Sequence, residues 1–142
     1  MRRSEALLSL SRDHHKALSV ALKMRRAEDA EEGAALFARY WEEHGRVHFR
    51  VEEETLLPTW ARLGSVNQEA AARLAQEHLE IRARALMVAA RPTLNDVHAL
   101  GEKLTSHVRF EERELFPLIE EDLDAGDLVV VARAVSEAEA SA

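Results

Sequence analysis

His48 and Glu52 stand four residues apart, and so do His107 and Glu111. On a helix that spacing sets an imidazole and a carboxylate on adjacent turns of one face, close enough to hold a single ion together. One such pair alone reads as an exposed salt bridge. Two copies inside a longer repeat read differently. The block from His48 to Pro58 aligns with the block from His107 to Pro117, with His48/His107, Arg50/Arg109, Glu52/Glu111, Glu53/Glu112, Leu56/Leu115 and Pro58/Pro117 identical. A weaker echo joins Asp13-His14 to Glu77-His78. The flanking apolar residues, Trp41, Val51 and Thr55 around the first motif and Leu104 and Leu115 around the second, place both polar pairs in stripes that should be buried. Two buried carboxylates facing each other are costly, and a cation between them removes that cost. Single histidines from two further helices would complete a set of four imidazoles and two carboxylates: His14, His48, His78, His107, Glu52 and Glu111. Nitrogen and oxygen donors suit iron, manganese or zinc better than calcium or magnesium, which prefer all-oxygen shells. In the first helix His14 competes with His15; the leucines of that helix, with Ala17 and Ala21, centre nearer His14. His44, one turn before His48, could add a ligand, but its repeat counterpart is Lys103 and a half-exposed position is expected. His98 is expected at the surface. Glu53 and Glu112, turned about 100° from the ligand carboxylates, are expected to bridge to neighbouring helices. Tyr40, Trp41 and Trp60 are expected in the core.

The elements that must position these residues are helices throughout. Leu7, Leu8, Leu10, Leu18 and Leu22 recur at helical spacing opposite Arg12, Lys16 and Lys23. Ser4 is a plausible start for a first helix that runs into the acidic stretch 28–33; the run Glu28 to Glu32 is expected as a solvated loop, although acidic residues also suit the start of the next helix. A second helix covers roughly Ala34 to Leu63, ends at Gly64, and should bend or loosen near Pro58. A third starts at Ser65 with Gln68 in a capping box and stops before Pro92. A fourth starts at Thr93 with Asp96 in the same box position, and carries Pro117 as the match to Pro58. A short fifth helix is expected from about Asp127 to Ala138, followed by a frayed tail. Short connections favour antiparallel neighbours, so the expected fold is an all-α, up-down-up-down four-helix bundle. The whole chain, 1–142, is expected to be one domain, with its core at about 5–122 and the short helix and tail at 123–142.

Composition narrows the partners. With 142 residues the chain can bury a core without covalent staples. A formal charge of −7 argues against nucleic acid or an anionic membrane. The absence of cysteine excludes disulfides, thiolate zinc sites, thiol catalysis and iron–sulfur clusters. No apolar run reaches the roughly 18 residues of a membrane span, and Met1-Arg2-Arg3 leads into no signal-peptide core; a cytoplasmic protein is expected, as monomer or homodimer. The Ala, Arg and Glu content looks bacterial.

These stretches (Asp13-His14, His48-x3-Glu52 with Leu57-Pro58, Glu77-His78, and His107-x3-Glu111 with Leu115-Phe116-Pro117) resemble the hemerythrin-like, or HHE cation-binding, domains in order and spacing. The resemblance spans roughly residues 5–122. It implies two non-haem irons inside the bundle, bridged by Glu52 and Glu111 and capped by the histidines. It also implies an open position for O2, peroxide, nitric oxide or water. Oxygen-carrying members have a fifth histidine on helix three and an aspartate bridge on helix four. Here Leu74 and Arg82 flank His78 one turn away on either side, and the helix-four bridge is a glutamate. That resembles the bacterial branch with four histidines and two glutamates, and it favours redox chemistry, gas or iron sensing, or peroxide turnover over reversible O2 carriage.

Several functions share this pattern. A di-iron module could bind or respond to O2, nitric oxide, peroxide or iron itself. A di-iron enzyme could show peroxidase- or catalase-like or nitric oxide reductase activity. Ferritin-type ferroxidases use Glu-x-x-His, the reverse order. A metal-free structural bundle would keep or gain stability when His48 and His107 are replaced by Ala, whereas a metal protein would lose it.

Overall fold

The computed structural model describes residues 3–142. Ser4 caps the first helix, α1 (Glu5–Arg25), its hydroxyl accepting from the Ala6 N–H. The second, α2, is continuous over residues 30–63: regular in Ala30–Tyr40, Arg46–Val51 and Leu57–Leu63, with π-helical turns at Trp41–Gly45 and Glu52–Leu56. Helix α3 is Gln68–Ala90. Helix α4 is continuous over 94–122, with one π-helical turn at Glu111–Leu115 between Leu94–Phe110 and Phe116–Asp122. Helix α5 is Ala125–Ala140. None of the described helices is long and apolar enough to cross a membrane.

Three boundaries differ from the sequence expectation, each through capping chemistry. Asp29 caps α2, so the acidic stretch expected as loop forms the first turn, where Glu31 and Glu32 face the positive end of the helix dipole. The cap of α3 is Asn67, whose carbonyl oxygen accepts from the Ala70 N–H, rather than Ser65. Asp124 caps α5 two residues earlier than expected, and the supposed tail stays helical to Ala140. The Thr93 cap with its bond from the Asp96 N–H is as expected.

The prolines act as π-helical insertions rather than as breaks. In α2 the Leu57 N–H reaches back five residues to the Glu52 carbonyl; in α4 the Phe116 N–H does the same to Glu111. Each wide turn immediately precedes a proline that has no N–H to give. In α4 the freed carbonyl of Glu112, five residues before Pro117, accepts instead from the Arg3 guanidinium at 2.7 Å. The turn at Trp41–Gly45 has no counterpart in α4.

Neighbours run antiparallel. Along α3 and α4, Arg73 meets Glu114, Glu77 meets His107 and Lys103 meets Glu80. Along α1 and α4, Arg3 meets Glu120 at one end, and His98 donates its Nε2–H to, or is held on, the Ala27 carbonyl at 2.9 Å at the other. His98 is thus a half-buried tie from α4 to the α1–α2 connection rather than a surface residue. The buried stripe of α1 reads Leu7, Leu10, His14, Ala17, Ala21, Met24; that of α4 reads Leu100, Leu104, His107, Glu111, Leu115. A polar layer therefore replaces one apolar layer of the bundle. On one side of it lies a cluster around Leu10, Leu56, Trp60, Leu74, Phe116 and Ile119, onto which α5 packs Val131 and Val135. On the other lies a cluster around Met24, Phe37, Phe49, Ile81, Val97 and Leu104. At about 1.5–3 kcal/mol for each fully buried large side chain, these two clusters carry the polar layer between them.

Helices α1 and α4 approach closely at Gly101, where a Cβ would lie 2.9 Å from the Ala21 carbonyl oxygen. Alanine would gain about 0.5–1 kcal/mol in helix propensity but lose about 1–3 kcal/mol by overpacking against backbone. Gly101→Ala should therefore lower the thermal midpoint. Gly126→Ala, whose nearest neighbour would be Asp124 at 3.5 Å, should not.

Candidate metal centre

The π-helical turns start at Glu52 and Glu111, so the two carboxylates that open them are the ones brought face to face in the polar layer. Both are 0% exposed. His14, His48, His78 and His107 surround them, none more than 4% exposed. The structure thus brings together all six residues expected from the sequence. It decides for His14 over His15, which is exposed. His44 stays at the rim with a side-chain exposure of 32%, and Tyr40 and Trp60 are core residues while Trp41 is half-buried.

The six side chains form two groups whose candidate ligand atoms lie within 4.8 Å of one another: His14, His48, Glu52, Glu111, and Glu52, His78, His107, Glu111. Both glutamates belong to both groups. Their oxygens divide accordingly. Glu52 sets Oε2 3.1 Å from His48 Nε2 and Oε1 3.1 Å from His78 Nε2. Glu111 sets Oε1 2.9 Å from His14 Nε2 and Oε2 2.5 Å from His107 Nε2. Most of these approaches are not hydrogen bonds. The Nε2 atoms of His48, His78 and His107, both oxygens of Glu52, and Glu111 Oε2 are buried with no hydrogen-bond partner. An orphaned buried carboxylate costs several kcal/mol, and a cluster of orphaned atoms converging from four helices has the donor set of a cation site.

Each imidazole is oriented from outside by a carboxylate on its Nδ1. Asp13 holds His48 at 3.2 Å and Glu77 holds His107 at 2.8 Å. Glu53 holds His78 at 2.5 Å and Glu112 holds His14 at 2.6 Å. A carboxylate accepting from Nδ1–H fixes the tautomer that turns the Nε2 lone pair inward, as a metal ligand needs. Two rings are also clamped by stacking: Phe49 lies on His78 with centroids 3.8 Å apart, and Phe116 lies on His14 at 5.4 Å. Sequence reading assigned Glu53 and Glu112 only to inter-helix bridges and gave Asp13 and Glu77 no role. The signal was present: every outer carboxylate directly adjoins a ligand in sequence, as Asp13-His14, Glu52-Glu53, Glu77-His78 and Glu111-Glu112.

Without a metal the cluster is held by ion pairing. Burial pushes the His14 imidazole down, but hydrogen bonds to Glu111 and Glu112 overcome it and leave it raised from 6.5 to about 9. His78, likewise opposed by burial, is raised to about 10 by the nearby carboxylates of Glu111, Glu52 and Glu53. Burial raises Glu53 and Glu112, but His78 with Arg82, and His14 with Ser11, hold them down at about 2. Burial also opposes the charge of Glu111, yet His107, Glu52 and His14 hold it well below the usual carboxylate range.

The fold and site together define a helical bundle with a buried histidine–carboxylate cation centre. The hemerythrin HHE cation-binding domain model matches residues 7–119, and the chain belongs to that family. Searches of the curated proteins and of the solved structures return no match. Helix α5 lies beyond the matched segment.

The pKa shifts set the pH response of the metal-free protein. Stability from His14 and His78, raised above 6.5, is complete below pH 6.5 and is lost as pH rises through about 9 to 10. Stability from Glu53 and Glu112, lowered from 4.5, is present above pH 4.5 and is lost as pH falls toward about 2. Thermal melts of metal-free protein should therefore peak between pH 4.5 and 6.5. Metal loading should show the opposite trend on the acid side, weakening as pH falls, because the imidazoles must shed their protons to bind. A metal-free melting temperature that climbs from pH 6.5 to 10 would contradict this assignment.

Proposed function

We propose that this chain is a non-haem di-iron protein that binds, or responds to, O2, nitric oxide, peroxide or iron itself. The observation that carries the reading is the sharing of Glu52 and Glu111 between two ligand groups, with each carboxylate directing one oxygen to each group. Two cations 3.5–4 Å apart, the usual spacing of a dinuclear site, would neutralise both carboxylates at once. Imidazole and carboxylate donors fit iron, with manganese or zinc as substitutes, and membership of the hemerythrin family favours iron. Bound iron supplies one-electron chemistry and affinity for small diatomic ligands.

The chain's own residues hold, orient and dry the site. His14 and His48 would hold one ion, His78 and His107 the other, with the outer carboxylates fixing every ring. The apolar clusters on both sides exclude water. The positions one turn from His78 offer no fifth imidazole: Leu74 is 0% exposed in the apolar cluster, and the Arg82 guanidinium is bound to Glu53 at 2.7 and 3.1 Å. Two histidines per ion leave coordination positions for an exchangeable ligand, which supports response or protection over dedicated O2 carriage.

Protein loaded anaerobically with ferrous iron and desalted should retain about two irons per chain, in line with a dinuclear site. Glu52→Ala and Glu111→Ala should each lose most of that iron, because each removes a ligand from both positions. Retention near zero in the wild-type chain, with no other transition metal held, would reject the reading. Steady turnover of peroxide or nitric oxide by the loaded protein would instead favour the enzyme.

A further inference from the structure

The four outer carboxylates form a regular set, but the charges behind them do not. Behind His78 and His107 the carboxylates are matched by cations. Glu53 pairs with Arg82 at 2.7 Å, and Glu77 with Arg73 at 3.0 Å and Lys103 at 3.8 Å. Lys103 also meets Glu80 at 3.0 Å, Arg73 meets Glu114 at 3.2 Å, and Arg84 completes the network on Glu80 at 3.3 Å. That network holds Glu53, Glu77, Glu80 and Glu114 against Arg73, Arg82, Arg84 and Lys103, and is neutral.

Behind His14 and His48 the balance fails. Among the described residues Arg3 is the one Lys or Arg ion-paired to these carboxylates, 3.3 Å from Glu112, and it divides its charge with Glu120 at 2.5 Å. Asp13 is ion-paired only to His48 itself among the described residues, with Lys16 acting on it at longer range. Among the described residues Asp13, Glu112 and Glu120 therefore stand against one ion-paired guanidinium, with Lys16 only at longer range. Glu139 of α5 adds a further carboxylate within electrostatic range of Asp13 and His48. A carboxylate not neutralised by a cation leaves its imidazole more basic, and the missing positive charges remove a repulsion on the ion.

We infer that the two metal positions are unequal: the position on His14 and His48 fills first and holds a resident ion, while the position on His78 and His107 takes the exchangeable one. The inference rests on the dinuclear reading above. It gives that reading a direction, because a divalent first-row cation would enter and leave at His78 and His107, and the state of the site would report the supply of that cation.

The test is an anaerobic titration of metal-free protein with cobalt(II) alone, followed by its visible d–d absorption. Two phases of one equivalent each are expected, separated by ~10-fold or more in affinity, the scale on which outer carboxylates act on metal sites. His48→Gln should remove the tight phase, and His107→Gln should remove the weak one. Asp13→Asn should weaken the tight phase with little effect on the weak one. Lys103→Gln, a half-buried residue that touches no ligand histidine, should strengthen the weak phase and narrow the gap. Circular dichroism of each metal-free variant identifies any that fail to fold, and the wild-type titration stands without them. Two equivalents binding in a single phase, or loss of the tight phase in His107→Gln, would overturn the inequality while leaving the dinuclear site intact. No cobalt bound by the wild-type chain would defeat the dinuclear reading itself.

Discussion

Two glutamates meet in the centre of this bundle, and among the described residues only the His14 ring, on Glu111, makes a hydrogen bond to them; the meeting of the two constrains everything around it. Glu52 and Glu111 are completely buried, and three of the four histidines facing them leave their inner nitrogen unpaired. Buried unpaired charge of this kind is disfavoured by several kcal/mol per group. It is tolerated where protons or cations occupy the space between the groups. In the metal-free chain, protons on the imidazoles serve; with metal, the same lone pairs would become ligands. The two states differ in proton count, which ties metal loading to pH.

The rest of the architecture serves that layer. Apolar clusters above and below supply the burial energy, so the layer itself need not be stabilising. The π-helical turns open at the two buried, facing glutamates in both halves of the repeat, and each precedes a proline that cannot donate to the helix ladder. Outer carboxylates from neighbouring helices then lock the imidazoles. The pattern is reciprocal: α1 supplies Asp13 to the ring of α2 and takes Glu112 from α4, while α3 supplies Glu77 to the ring of α4 and takes Glu53 from α2. Each ligand ring is thus oriented by a different helix from the one that carries it. Metal affinity and helix packing become parts of one problem.

Much of this was legible in the sequence, because it is encoded in local spacing. The His-x3-Glu repeat, the stripe containing His14, and the Ser4 and Thr93 caps all follow from helical geometry. What could not be read is what depends on the partner helix. Glu53 and Glu112 project about 100° from the ligand glutamates, so the sequence shows only that they point sideways; that they point at His78 and His14 requires the crossing geometry. His98 looks isolated along the chain, yet it sits on the Ala27 carbonyl in the connection between α1 and α2. The acidic run before α2 was ambiguous between loop and helix start, and the Asp29 cap decides it. The π-helical turn at Trp41–Gly45 has no copy in α4 and no proline directly after it; it brings Gly45 into close packing on Tyr40 and Trp41.

Anomalous diffraction at the iron edge from crystals of iron-loaded protein tests the central claim most directly. The account predicts two peaks within the bundle, one beside the Nε2 atoms of His14 and His48 and one beside those of His78 and His107, with the Glu52 and Glu111 carboxylates between them. Peaks confined to the surface, or a core without anomalous signal in protein shown to contain iron, would contradict it.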